Sequence, residues 1–278
     1  PGVCFAQSVG AANLAAGLQD AYLGRSPVIA ITGRKPAIAQ LRNAYQKIQH
    51  RPLFSAVTKY DADVDSILQL PHVLPQAFRE AASATPRPVH LEVAGFMGEL
   101  LESEEAELEI IVEERYRHCP SHRSLPEPDL LEEAARMIKQ AVRPVIVAGG
   151  GAVISEAGDE ILELSESLGA PVAYSLDGKG IIPEDHPAAV GVVGSYSSKS
   201  ANRVVSEATL VIFVGSDTGD QVTYNWRIPR MGTTVIQIDA DAVELGRNYP
   251  GTLGILGDPK ASLRGLSLNS GVNSLQFD

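Results

Sequence analysis

A run of three glycines carries the most suggestive chemistry in this sequence. Gly149, Gly150 and Gly151 directly follow the apolar run Val145–Ala148 and precede a stretch with helical spacing. A glycine turn in that position lets backbone N–H groups approach a diphosphate at a helix N-terminus. The dinucleotide pattern GxGxxG is incomplete, because Ile154 occupies the place of its last glycine. The run therefore predicts a nucleotide site or, equally well, only a tight connection between a strand and a helix.

Three further turns follow apolar runs, at Gly178–Gly180, Gly215–Gly219 and Asp239–Asp241. In a doubly wound sheet such turns meet at the crevice outside the carboxyl ends of the strands. Asp239 ends its predicted strand, where a carboxylate suits a ribose hydroxyl or an adenine amine. We therefore expect Asp239 and the three glycines to form one candidate site for a nucleotide.

Several common catalytic signatures are absent from the sequence. It contains no GxSxG, no HExxH and no GxxxxGK[ST]. His118, Cys119 and His122 are close in sequence, but Pro120 prevents a helical pair of ligands and no fourth ligand is near. We therefore predict no metal site in this chain.

A second candidate site lies near the N-terminus. The segment Gln7–Asn13 follows the apolar run Val3–Ala6 and opens a helix rich in Ala and Leu. Small residues at such a place allow close approach of a cofactor ring or of another chain. The alternative is that they serve only the packing of the helix on a sheet.

The elements that must position these residues alternate along the chain. Apolar runs typical of strands buried on both faces alternate with stretches that have helical spacing. The runs are Pro27–Ile31, Pro88–Val93, Pro144–Ala148, Pro171–Tyr174, Leu210–Val214 and Thr234–Ile238. This alternation predicts an α/β fold with two domains of parallel sheet flanked by helices, the second doubly wound and Rossmann-like.

Composition sets the expected domain boundaries. Glutamates and then prolines crowd the stretch between about 98 and 126, which we interpret as an exposed acidic linker. Domain one then covers about 1–97 and domain two about 127–267. The remainder, 268–278, has little apolar periodicity and is expected to be a loose tail.

Charge and cysteine content exclude several classes of function. The chain has 23 Lys and Arg against 34 Asp and Glu, a net charge of −11, which disfavours nucleic acid and anionic membranes as partners. No uncharged apolar run approaches the ~20 residues needed to span a bilayer. Two cysteines outside any CxxC pair predict a reducing compartment, and we expect a cytoplasmic location.

The motifs, taken together, resemble a known family. The segments Pro1–Val3, Gln7–Asn13, Ala21-Tyr22, Pro27–Gly33 and Asn43–Lys47 are similar to the first domain of thiamine-diphosphate enzymes of the acetolactate synthase, pyruvate oxidase and benzoylformate decarboxylase group. The segments Gly178–Pro187, Ala208–Gly215, Ile238-Asp239, Gly246–Asn248 and Gly257-Asp258 look like the middle domain of the same group.

This resemblance implies a partial pyrimidine-binding domain followed by a complete middle domain. It implies Gly10, Asn13 and Gln46 beside the cofactor, and Tyr45 together with Gln46 on the substrate side. The family's catalytic glutamate is expected upstream of this chain, and its motif for Mg²⁺ and diphosphate in a third domain. The catalytic residues are therefore expected outside the sequence, and the chain alone is expected to be inactive.

The resemblance also defines expected ligands and partners. The intact enzyme would use thiamine diphosphate and Mg²⁺ on a 2-oxo acid or acyl donor, and would be a homodimer or homotetramer. FAD is not expected, because Ser195–Ser197 and Ser216–Gln221 lack the histidine and arginine typical of flavin-binding members. An ADP-like ligand stays compatible with the middle domain. The competing hypothesis is a non-catalytic α/β module that binds a nucleotide or serves structure alone.

Overall fold

The computed structural model describes residues 1–39, 41–96, 99–100, 105–109 and 111–270. The chain divides into two compact units, Pro1–His122 and Arg123–Asp278, and each has its own largely parallel sheet. Helices flank both sheets, so the predicted α/β class with two domains is confirmed.

The sheet of unit 1 is built around two buried parallel strands. Its strand order is β1-β2-β4-β3, all parallel, with a short antiparallel strand paired to β4. The strands are β1 (Gly2–Gln7), β2 (Val28–Arg34), β3 (Tyr60–Val64), β4 (Val89–Phe96) and β5 (Glu99–Leu100). The edge strand β3 escapes sequence prediction, because its five residues YDADV include two aspartates, which are rare in strands.

Three helices accompany this sheet, namely α1 (Val9–Leu23), α2 (His50–Phe54) and α3 (Leu70–Ala82). On α1 the residues Ala11, Ala15 and Leu18 are buried, a spacing that places them on one face of the helix. Small side chains on this face let the helix lie close to the sheet. The predicted role of the small residues in helix–sheet packing is thereby observed on this face.

The sheet of unit 2 is fully parallel. Its strands are β6 (Pro144–Ala148), β7 (Val172–Tyr174), β8 (Ala189–Val192), β9 (Leu210–Val214), β10 (Thr234–Asp239) and β11 (Leu253–Leu256). Their order is β11-β10-β9-β6-β7-β8, which is the doubly wound order of a Rossmann fold. The direction of winding reverses between β6 and β9, and the predicted doubly wound sheet is confirmed.

Both faces of this sheet are covered by helices. They are α4 (Pro128–Gln140), α5 (Gly150–Ile154), α6 (Gly158–Leu168), α7 (Lys199–Ser206) and α8 (Pro259–Ser270). Along β9, Ile212 packs into one apolar cluster and Val211 and Phe213 into the other. Since successive side chains point to opposite faces, a strand buried on both sides must be apolar throughout.

The boundary between the units lies between His122 and Arg123, inside the segment predicted as a linker. The described part of that segment includes Glu113, which forms an ion pair of 2.6 Å with Arg79 on α3. At the other end of the chain, α8 extends to Ser270, three residues into the predicted tail. It continues because Leu263 and Leu266 are buried in the unit 2 core; 271–278 lie outside the described residues.

One buried carboxylate joins three separate segments of unit 2. Asp258 accepts hydrogen bonds from the Arg123 guanidinium at 3.1 Å and the Ser155 hydroxyl at 2.7 Å. It also accepts from the backbone N–H of Ala261 at 3.0 Å, in the first turn of α8. Asp258 thus fixes the start of α8 and the entry of the chain into unit 2.

We predict that Asp258→Ala destabilises unit 2 by about 3 kcal/mol, because the Arg123 guanidinium loses its buried carboxylate partner and the Ser155 hydroxyl loses its acceptor. Urea unfolding measured by circular dichroism gives this value. Asp185→Ala is the matched control: it removes an exposed carboxylate and should change the free energy of unfolding by less than about 0.5 kcal/mol. Equal effects of the two variants would contradict the role assigned to Asp258.

Candidate functional site

The main candidate site is an open cleft in unit 1, at the carboxyl ends of β1 and β2. It is shallow, with room of about 10 Å³, which is roughly that of one water molecule. The residues that line it are Gln7, Ser8, Gly33, Arg34, Lys35, Gln46, Lys47, Ile48 and His50. Ligand sites in parallel sheets form at this end of the strands, so the position fits a binding function.

A hydrogen bond holds one wall of the cleft to the end of β1. The buried Ser8 hydroxyl donates to the backbone carbonyl of Gln46 at 3.1 Å. Both residues have a positive φ of 55°, a conformation that non-glycine residues hold only where the surroundings demand it. The Gln46 amide donates to the hydroxyl of Tyr45 at 3.2 Å, and Tyr45 is 79% exposed.

The site residues predicted for unit 1 fall into two groups, those at the cleft and those away from it. Gln46 lines the cleft, and Tyr45 lies beside it on the same loop. Gly10 and Asn13 lie on the exposed side of α1 and do not line the cleft. A Cβ atom on Gly10 would meet only Ala6, at 3.9 Å, so this position has space for a side chain. Their assignment to the cofactor rests on the resemblance alone.

A histidine that lines the cleft lies against a buried glutamate. His50, at the start of α2, is 2% exposed, and its Nδ1 lies 3.3 Å from Oε1 of Glu92 on β4. The Arg34 guanidinium lies 3.9 Å from the other oxygen of this carboxylate. Burial alone would raise the pKa of Glu92, but His50 and Arg34 beside it lower the pKa below its ordinary value. Glu92 is therefore a buried anion surrounded by donors.

A second buried histidine lies two residues earlier on β4. His90 Nε2 is 2.7 Å from the Thr32 hydroxyl, and its Nδ1 is 3.0 Å from Asp61. The ring also stacks on Phe54, with centroids 4.0 Å apart. Burial lowers the pKa of His90 in spite of the nearby Asp61 carboxylate, so the ring is neutral. The neutral ring then donates from Nδ1 to Asp61 and accepts the Thr32 hydroxyl proton at Nε2.

The sequence analysis does not single out His50, His90 or Glu92. The signal for two of them is present in the run Pro88–Val93, where polar side chains interrupt a strand that is otherwise apolar. His90 and Glu92 are two positions apart, so they point to the same face of β4. His50 gives no such signal, because it follows an irregular loop and opens a helix of only five residues, where no periodicity indicates which residues are buried.

The glycines of unit 2 lie at close backbone contacts. The N–H of Gly149 donates to Val214, and that of Gly151 to Gly215, each at 2.9 Å. A Cβ atom on Gly149 would lie 2.2 Å from the carbonyl oxygen of Gly215. Packing between the turns after β6 and β9 therefore requires glycine here, whether or not a ligand binds.

Asp239 lies at the same edge of the sheet, since β6, β9 and β10 are neighbouring parallel strands. Its side chain is buried and accepts the N–H of Asp241 at 2.9 Å, which closes the turn after β10. Nucleotide binding by Asp239 with Gly149, Gly150 and Gly151 stays a prediction.

The described ranges show no feature of a metal site or of a membrane-spanning helix. No group of three His, Cys, Asp or Glu residues there is arranged to hold a metal ion. His122 instead contacts the Arg115 guanidinium at 2.9 Å. None of the described helices is long and apolar enough to cross a membrane.

Two family models match this chain in order. The model described as "Thiamine pyrophosphate enzyme, N-terminal TPP binding domain" matches residues 1–53, and the corresponding central-domain model matches residues 131–266. The first match contains the cleft residues of β1, β2 and the 44–50 loop, and the second contains all six strands of the unit 2 sheet. The chain belongs to the thiamine-diphosphate-dependent enzymes.

Individual relatives agree with this family. The chain is 36% identical to the "Probable acetolactate synthase large subunit" of Methanocaldococcus jannaschii, over 95% of this chain and 45% of that protein. It is 34% identical to the acetolactate synthase of Arthrospira platensis, over 94% of this chain and 45% of that protein. The chain thus spans less than half the length of these relatives.

A solved structure supports the fold. It is described as a thiamin diphosphate-dependent enzyme from Mycobacterium smegmatis, and it matches with a TM-score of 0.79 at 22% identity. The match covers 99% of this chain and 52% of that one. These comparisons favour an enzyme fragment over the non-catalytic module that the sequence left open.

We predict that the stability of unit 1 falls as the pH is lowered from 7.5 to 5.5, and that His90→Leu flattens this dependence. The pKa of His90 is lower in the folded protein than its ordinary value of 6.5. Above pH 6.5 the ring is neutral in both states, and the stabilisation from this residue is complete. Below pH 6.5 the unfolded chain takes up a proton before the folded protein does, so this stabilisation is lost. The slope from one such group reaches about 1.4 kcal/mol per pH unit. Urea unfolding followed by NMR signals of β2 and β4 measures it. The exposed His118→Leu should leave the slope unchanged; an unchanged slope in His90→Leu would refute the assignment.

We further predict that Gly149→Ala destabilises unit 2 by about 2–3 kcal/mol, the cost of forcing a side chain into a filled backbone contact. Its φ of −105° is accessible to alanine, so the effect is steric. Gly17→Ala, in the middle of α1 with nothing within 4 Å of the new Cβ, should instead stabilise unit 1 by up to about 1 kcal/mol. Thermal unfolding distinguishes the two, and a neutral Gly149→Ala would show that the turns separate easily.

Proposed function

We propose that this chain is the N-terminal and central part of an acetolactate synthase-like enzyme, a thiamine-diphosphate-dependent carboligase or decarboxylase that acts on a 2-oxo acid or acyl donor. The observation that carries the proposal is the cleft at the carboxyl ends of β1 and β2. It is lined by Gln46 and lies within the part of the chain that matches the TPP-binding domain.

The side chains around the cleft carry groups whose chemistry suits the pyrimidine end of the cofactor. Gln7, Ser8 and Gln46 supply amide and hydroxyl groups, which are neutral donors and acceptors suited to a polar heteroaromatic ring. When bound, thiamine diphosphate supplies a thiazolium ylid that adds to a carbonyl carbon and then accepts its electrons. The contribution of this chain is to hold the ring, to orient the substrate beside Gln46 and to exclude water.

Mg²⁺ and the diphosphate fit this chain poorly. The described residues contain no cluster of carboxylates for a metal, and the Gly149 and Gly151 N–H groups already donate to carbonyls. We therefore assign the charged end of the cofactor, and the catalytic glutamate, to parts of the enzyme beyond these 278 residues. The isolated chain is then inactive.

An oligomer, a homodimer or homotetramer, completes the proposal. The edge strand β1 is exposed along its length, with Phe5 74% exposed, and Val9 and Leu23 add apolar surface on α1. Exposed apolar surface of this kind is typical of an interface. Both cysteines are free, Cys4 at the surface, which supports a reducing compartment such as the cytoplasm.

FAD is not part of the proposal. The Gln221 carbonyl accepts the N–H of Ser195 at 2.8 Å, so the two segments at which a flavin would be recognised are joined to each other. Neither segment supplies an arginine or a histidine. An ADP-like ligand at Asp239 and the three glycines remains a subsidiary proposal, which titration of the chain with ADP tests directly.

We predict that the protein encoded by the full reading frame consumes pyruvate only with thiamine diphosphate and Mg²⁺. Gln46→Ala should lower its kcat/KM at least tenfold, the loss of about 1.4 kcal/mol of transition-state stabilisation expected for one hydrogen bond and some orientation. Gln140→Ala, at the exposed end of α4, is the control and should change nothing.

The isolated chain provides the complementary measurement. Calorimetry should detect no binding of thiamine diphosphate at micromolar concentration, because the charged end of the cofactor has no site here. A micromolar dissociation constant would show that the diphosphate site was assigned wrongly. A full reading frame without any activity dependent on thiamine diphosphate would refute the proposed function.

A further inference from the structure

The cleft in unit 1 is too narrow for the ligand that its surroundings suit. Its room of about 10 Å³ holds roughly one water molecule, which is less than a heteroaromatic ring occupies. The side chain of Gln7 takes up part of the space, since it lies beside Gly33 at the end of β2. The loop of residues 41–49 bounds the cleft through Gln46 and Lys47. Binding of a ring therefore requires this loop to move away.

Few contacts hold the 41–49 loop in place. Most of it is exposed, so it buries little apolar surface. Its backbone bonds from Ala44 to Arg42 and from Lys47 to Ala44 lie within the loop. The Lys47 ammonium donates to the carbonyls of Ala39 and Arg42, at 3.4 and 3.3 Å, which belong to the same stretch of chain. A segment held in this way opens at a low cost in free energy, so a single hydrogen bond can control it.

The bond from Ser8 to Gln46 joins this loop to the end of β1. The Ser8 hydroxyl donates to the Gln46 carbonyl at 3.1 Å. The backbone of Ser8, with φ 55° and ψ −119°, has a conformation that glycine adopts without strain. Gln46 also has a φ of 55°. A serine here therefore adds strain that a glycine would not, and what distinguishes it is the hydroxyl that holds the loop.

The narrow state of the cleft also leaves a histidine without a partner. His50 directly follows the loop and lines the same cleft, and it is 2% exposed. Its Nε2 makes no hydrogen bond to a described group, and a buried polar atom of this kind is destabilising. Water reaches this atom when the loop moves away. The unpaired nitrogen and the strain at Ser8 and Gln46 thus favour a wide state, which the Ser8 hydrogen bond opposes.

We propose that the 41–49 loop is a gate and the Ser8 hydroxyl its latch, so that the cleft admits the pyrimidine ring of thiamine diphosphate only after the bond from Ser8 to Gln46 breaks. The inference rests on the proposed function for the identity of the ring. When only a minor population can bind, the apparent affinity falls by the fraction in that population. Removing one hydrogen bond of ordinary strength should raise the population of the wide state about fivefold.

The first experiment measures the gate in the chain without any ligand. Trypsin cleaves after Lys47 only when this side chain leaves its carbonyl partners, so the rate of cleavage follows the population of the wide state. Mass spectrometry should show cleavage there about fivefold faster in Ser8→Ala and Ser8→Gly. Ser26→Gly, in the exposed loop before β2, is the control and should not change it. Cleavage after Lys139 on α4 should be equal in all four proteins.

The two variants of Ser8 separate the latch from a role in folding alone. Ser8→Gly relieves the backbone strain and Ser8→Ala keeps it, so thermal unfolding should show unit 1 to be more stable with glycine. The latch requires faster cleavage after Lys47 in both variants, because both lack the hydroxyl. A role in folding alone would give faster cleavage in Ser8→Ala only. Cleavage of Ser8→Gly at the rate of the unaltered chain would overturn the proposal.

The full-length enzyme tests the latch on the cofactor itself. Calorimetry with thiamine diphosphate and Mg²⁺ should give a dissociation constant about fivefold lower for Ser8→Gly and an unchanged one for Ser26→Gly. Equal or weaker binding by Ser8→Gly would overturn the proposal, because Ser8 would then not oppose entry of the ring. If the full-length protein binds no thiamine diphosphate, the proposed function fails, while proteolysis of the chain still decides whether Ser8 holds the gate.

Discussion

The cleft in unit 1 is built on the hydrogen bonds and ion pairs that two polar side chains of the central strand β4 form. A parallel strand buried on both faces normally carries apolar residues, and an unpaired polar group there is costly. β4 nevertheless holds His90 and Glu92 on one face. His90 solves the problem locally, through Thr32 on the neighbouring strand β2 and Asp61 on β3. Three strands are thus joined by side chains as well as by their ladders.

The charge of Glu92 is balanced by residues that line the cleft. Its carboxylate lies nearer the end of the strand, where Arg34 and His50 approach it from β2 and α2. The short helix α2 is fixed by packing as well, since Phe54 stacks on the His90 ring. Burying one histidine therefore positions the other. Such coupled polar networks are more costly to disturb than their separate contacts suggest, because each member leaves another unpaired.

How far the sequence predicts this structure depends on burial. Strands such as β6 and β9 are predictable because both faces are buried and the run must be apolar. The strands that escape prediction are β3, β5, β8 and β11, and each of them pairs with a single neighbouring strand. An edge strand has one neighbour and packs less, so its sequence carries a weaker signal. Gln46 is found through a resemblance, whereas His50 is invisible, since a loop of irregular conformation gives its residues no periodicity to read.

The two units also use their strand ends in opposite ways. In unit 2 the turns after β6 and β9 approach so closely that the N–H groups of Gly149 and Gly151 donate to the carbonyls of Val214 and Gly215. Closing this edge uses two of the three glycine N–H groups there for contacts within the protein. In unit 1 the loop that carries Gln46 is held at the end of β1 by a side chain, because the Ser8 hydroxyl donates to the Gln46 carbonyl. The backbones of the loop and the strand therefore do not come into direct contact at this hydrogen bond. Leaving this edge open requires two non-glycine residues with positive φ, Ser8 and Gln46, and backbone strain of this kind is concentrated at functional sites.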